Sequence, residues 1–85
     1  MKSLFLVGAA SREALVDALG QLLPGGTDPW ILADEHGRPI ARFHLDTAGG
    51  VEIDVSDVPE EKEGRVRLIL ASLQERVGGV LEGDW

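Results

Sequence analysis

Three stretches of this chain, Trp30 to Asp34, Ile40 to Leu45 and Val51 to Val55, combine β-branched or aromatic residues with turn residues at their ends, which predicts three strands. The turns set how they pair. With His36-Gly37 as a two-residue hairpin loop, residue 32 faces 41 and residue 30 faces 43, so Trp30, Leu32, Ala41, Phe43 and Leu45 share one apolar face. A three-residue loop at Thr47, Ala48 and Gly49 sets 45 against 51 and 43 against 53, which adds Val51, Ile53 and Val55 to that face. A one-residue slip at the second turn would place Leu45 opposite Glu52 and bury alternate charges, so the cost of burying charge selects the register. Pro39 lies just past the first turn, where a missing backbone donor is tolerated.

The flanking segments change period. Leu4 to Val7 is a continuous apolar run ending at Gly8, which suits a strand buried on both faces or an interior strand beneath helices. Ser11 offers a helix N-cap, after which Leu15, Ala18, Leu19 and Leu22 recur at helical spacing, with Glu13, Asp17 and Gln21 on the opposite side. Pro24-Gly25-Gly26 ends this helix. Ser56 or Asp57 is placed to cap a second helix starting around Pro59, whose positive end suits Glu60, Glu61 and Glu63. Gly64 marks a break between its first turn and the helix proper. Val66, Ile69, Leu70, Leu73 and Val77 form its apolar stripe, Leu68 lies nearly opposite, and Gly78-Gly79 stops it. Val80 and Leu81 then predict a brief last strand.

The order β-α-β-β-β-α-β predicts an α+β fold. We expect a two-layer α/β sandwich with a mixed sheet, a central antiparallel meander and both helices on one face, as right-handed crossovers within a single sheet would place them. Strand one, strand four and the last strand are the candidate edges.

Composition narrows the function classes. Eighty-five residues make one domain, 1–85, and a chain of this length buries about 60–65% of the surface its unfolded form exposes. Fifteen acids against eight bases give a net charge of −7, which repels phosphate and argues against nucleic acid as a partner. The chain lacks cysteine, which excludes thiolate chemistry and disulfides. Met1-Lys2-Ser3 and the apolar run to Ala10 lead straight into a helical pattern and are read as strand one rather than a signal peptide. No stretch approaches the roughly 20 apolar residues that span a bilayer, so no membrane role and a cytoplasmic location are expected.

Candidate chemistry gathers on the polar face of the meander. The same register sets Arg42 opposite Asp54 and His44 opposite Glu52. Facing opposite charges stabilise a solvated sheet by on the order of 0.2–1 kcal/mol per pair, and the same four residues form the candidate binding patch. Glu52 opposite His44 would favour the charged imidazole. An alternative is a ligand- or divalent-metal-binding protein centred on His44, Glu52 and Asp54, with Asp46 nearby, because imidazole and carboxylate suit such ions. The chain has no ligand-spacing motif, and neither a metal nor a cofactor is assigned to it.

Asp34, Glu35, His36, Arg38 and Asp46 are expected as turn residues. Gly8 to Ser11 lacks the glycines and lysine of a phosphate loop and is expected to be a capped βα turn. None of the serines at 3, 11, 56 and 72 sits in a nucleophile elbow, so no catalytic residue is assigned. The expectation is a non-enzymatic interaction or regulatory module, using the open sheet face or a strand edge toward a protein partner or a second copy of itself.

Overall fold

In the computed structural model, which describes residues 2–9, 11–24, 29–46, 49–56 and 59–83, the chain runs β1 (Lys2–Val7), α1 (Arg12–Leu22), β2 (Trp30–Ala33), β3 (Pro39–Leu45), β4 (Val51–Val55), α2 (Glu60–Val77) and β5 (Val80–Gly83). The five strands form one sheet in the order β2-β3-β4-β1-β5. Both helices pack on one face of it, giving the expected two-layer sandwich and element order.

The sheet is antiparallel throughout rather than mixed. The reason is where β1 lies. β4 and β5 run the same way, joined by α2, but β1 sits between them and runs opposite to both. The strands β1 and β2, joined by α1, are separated by β4 and β3, so that connection makes no adjacent parallel pair either. It follows that the edges are β2 and β5, while β1 and β4 are interior.

Register in the meander is as the polar pattern requires: Trp30 faces Phe43, Leu32 faces Ala41, Arg42 faces Asp54 and His44 faces Glu52. The first hairpin reaches this pairing by a different route. Its loop holds three residues, not two: Asp34 N–H donates to Arg38 O at 2.9 Å and Gly37 N–H to Asp34 O at 3.0 Å. Gly37 (φ 78°) takes the left-handed position this loop needs. A three-residue loop continued regularly would pair Leu32 with Ile40 and turn Arg42 into the core. A bulge between Leu32 and Ala33 restores the phase, since Ala33 faces Pro39 whereas Leu32 faces Ala41. Ile40 is the extra residue, and both it and Ala41 are buried, which simple alternation does not allow. At the second hairpin, Asp46 N–H donates to Gly50 O and Gly49 N–H to Asp46 O, so residues 45 and 51 pair as expected. Thr47 and Ala48 lie outside the described residues.

The helices follow their apolar stripes with two changes, both in α2. Ser11 caps α1 by accepting from Ala14 N–H at 3.0 Å. The helix ends at Leu22, with Leu23 N–H bonded to Leu19 O; Gly25 and Gly26 lie outside the described residues. For α2 the cap position is Pro59, with no side-chain cap bond. Ser56 N–H instead donates to Ile40 O, prolonging the β3–β4 ladder, and Asp57 lies outside the described residues. Helix α2 also passes through Gly64 unbroken, because Val66, Leu70, Leu73 and Val77 on one buried face hold it down.

One core joins the layers. Leu15 and Leu19 of α1, with Val66 and Leu73 of α2, meet Leu6, Phe43 and Ile53 of the sheet, all fully buried. The indole N–H of buried Trp30 has no acceptor among the described residues. Such an orphan costs about 1–3 kcal/mol, which burial of the large ring offsets.

Candidate functional site

The open face is built by the outward positions of all five strands. One row crosses it as Ile31, Arg42, Asp54 and Ser3, and a second as His44, Glu52, Phe5 and Glu82. Val7 and Val80 face each other beyond the second row. The four residues singled out by sequence, Arg42, His44, Glu52 and Asp54, therefore do share this face.

Their contacts differ from the simple cross-strand scheme. The imidazole Nε2 of His44 lies 3.6 Å from Oδ2 of Asp54, diagonally across the ladder, rather than against Glu52. Ser3 Oγ donates to the other oxygen of Asp54 at 3.1 Å. Asp54 is thus shared between β1 and β3, while Arg42 makes no ion pair with it within 4 Å. A partly exposed pair of this kind contributes about 0–1 kcal/mol. Among the described residues no three His, Asp or Glu side chains converge to hold a metal ion, so His44, Glu52 and Asp54 do not make a coordination site.

Sequence reasoning missed the apolar part of this face. Among the described residues six large apolar side chains are exposed, and four of them, Phe5, Val7, Ile31 and Val80, stand on the open side; the others are Val16 and Leu68. Strand β1 is buried only at Leu4 and Leu6, while Phe5 is 40% and Val7 39% exposed. The signal was present in the chain. A two-layer sandwich covers one sheet face, so an all-apolar strand in it must turn alternate side chains to the uncovered side.

Beside Phe5 and Val7, β5 is held by close backbone contact. A Cβ on Gly79 (φ 91°) would stand 2.6 Å from Val7 O, and one on Gly83 2.5 Å from Ser3 O. Both positions need glycine for β5 to lie against β1.

A second polar cluster fastens the first hairpin to α2. Asp34, expected as an exposed turn residue, has a side chain only 4% exposed. Its Oδ1 accepts from His36 N–H at 2.8 Å and Arg38 N–H at 2.9 Å, and its Oδ2 accepts from Lys62 Nζ at 2.9 Å. The Lys62 ammonium, then the Arg38 and His36 amides, hold the Asp34 carboxyl well below the usual carboxylate range. Asp34 in turn raises the Lys62 ammonium above the ordinary lysine value. With its oxygens committed inside the fold, Asp34 acts as a structural clasp. Lys2 and Glu63, 3.0 Å apart, tie β1 to the same end of α2.

Two of the cavities formed by the described residues bear on a candidate site. One of about 350 Å³ adjoins Gly8, Ser11, Arg12, Asp46 and Gly50. There Ser11 already caps its own helix and Asp46 brings negative charge, in keeping with a capped βα turn rather than an anion site. The other, of about 210 Å³, lies between α2 and β5, lined by Leu4, Arg67, Leu70, Gln74 and Leu81. Among the described residues no helix is long and apolar enough to cross a membrane. No family model matches the chain, and no curated protein or solved structure matches it.

Proposed function

We propose that this chain is a non-enzymatic protein-interaction or regulatory module that works through its open sheet face. The observation that carries this is the uncovered strip of Phe5, Val7 and Val80, set beside the polar residues Glu52, Asp54 and His44. An exposed apolar strip rimmed by polar residues is the usual mark of a surface that a partner covers. Arg42, His44, Glu52 and Asp54 then serve as the polar rim, setting partner choice and orientation more than affinity. The acidic balance of the chain favours a basic protein over nucleic acid. The cytoplasmic setting expected from the sequence belongs to the same proposal, and cell fractionation tests it.

Affinity capture from the source cells, run in parallel with the wild type and with a Phe5→Ser/Val80→Ser variant, tests the role. A partner held by the wild type and lost by a variant that still melts cooperatively supports it. Capture of the same proteins by both, or of none, overturns it.

A further inference from the structure

Resting on that role for the open face, we infer that the partner element is a cationic amphipathic helix seated along β1. The register places Phe5 directly between Glu52 on β4 and Glu82 on β5. Strands lie about 4.8 Å apart, so the backbone positions that carry these two acids stand about 10 Å from each other across the apolar strip. Neither makes an ion pair or hydrogen bond with another described residue. An α-helix is about 10–12 Å wide with its side chains, so one lying on Phe5, Val7 and Val80 brings its two flanks over the two acids. Lysine or arginine on those flanks matches the charge.

A helix also suits what a sheet face can offer. Interior strands spend their backbone groups on their neighbours, so a partner docking face-on receives side-chain contacts only and must satisfy its own backbone. A second copy of this chain fits less well. Open face against open face, centred on the strip at β1, would lay the carboxylates of β4 on their counterparts or on β5, which carries Glu82.

The test uses an N-acetylated, C-amidated 18-residue peptide of Leu and Lys, with Leu at helical-face spacing, titrated into the isotope-labelled protein. A matched peptide carries Glu at every Lys position. The expected result is amide shifts centred on Phe5, Val7, Val80 and Glu82, weakening as salt is added. Phe5→Ser should reduce affinity about tenfold or more, and Glu52→Gln/Glu82→Gln about tenfold with a flatter salt dependence. Val80→Ser provides a second readout if Phe5→Ser fails to fold. Equal binding of the Glu peptide at the open face overturns the cationic-helix assignment while leaving an interaction role standing. Shifts confined to α1 and α2, or variants that bind as the wild type does, overturn it too. So does a dimer in sedimentation that Phe5→Ser dissociates, which would identify the occupant as a second copy.

Discussion

The chain has two phenylalanines, and the sheet puts them on opposite faces: Phe43 fully buried beneath α1 and α2, Phe5 40% exposed on the other side. Both belong to interior strands with apolar neighbours in sequence or across the ladder. What separates them is only which side of the sheet the helices cover. The covered face is apolar and closed to water at its centre, with Lys2 ion-paired to Glu63 and Leu45 and Leu81 half-buried at its margins, so it accounts for stability. On the open face, apolar residues stand exposed among carboxylates. The contrast divides the molecule into a face closed by the helices and a face whose apolar residues stay uncovered.

The most severe test of that division compares the two rings. Phe43→Ala should cost about 3–5 kcal/mol in denaturant unfolding, a large part of what a small domain has. Phe5→Ser should cost only about 1 kcal/mol. Similar losses for both would mean the open face is structural, and the division would fail. Next, Ile40→Ala should cost about 2–4 kcal/mol, because the bulge buries a residue that strict alternation assigns to the solvated side. A neutral result would place Ile40 outward and remove the bulge from the account.

The Asp34 clasp gives an effect of intermediate size with a defined pH dependence. Its carboxyl titrates lower in the folded chain than in the unfolded one, so the unfolded state takes up protons first on acidification. The stabilisation is therefore present above the ordinary aspartate value of about 4, and is lost as pH falls through the lower folded value. Asp34→Asn should lower the melting temperature at pH 7 and flatten the acid limb of the melting curve. Identical acid limbs for both proteins would show that the clasp carries no stability. The smallest effects belong to the exposed residues. His44→Gln and Leu68→Gln should each shift stability by no more than about 0.5 kcal/mol, which thermal melts can check.

The first hairpin shows how a correct register can follow from an incorrect turn. A two-residue loop without a bulge and a three-residue loop with one give the same pairing of residues 30 with 43 and 32 with 41. Hydrophobic alternation sees only their shared outcome, and it does not reveal that the bulge buries Ile40 beside Ala41. The polar residues of the site were found for the same reason that the core was: Arg42, His44, Glu52 and Asp54 alternate with buried positions. Phe5, Val7 and Val80 were missed because apolar residues on both faces of a strand leave no alternation to read.

Local order in the chain was enough to establish the elements, the apolar stripes of both helices and the faces of the meander. Side chains repeat every two residues in a strand and every 3.6 in a helix, and burying a charge is costly wherever it occurs. The position of β1 between β4 and β5, the wholly antiparallel sheet, the Asp34–Lys62 clasp and the Glu52–Phe5–Glu82 row were decided by the tertiary structure alone. Each brings together residues tens of positions apart, and such meetings depend on the packing of the whole chain, to which no short-range period is sensitive.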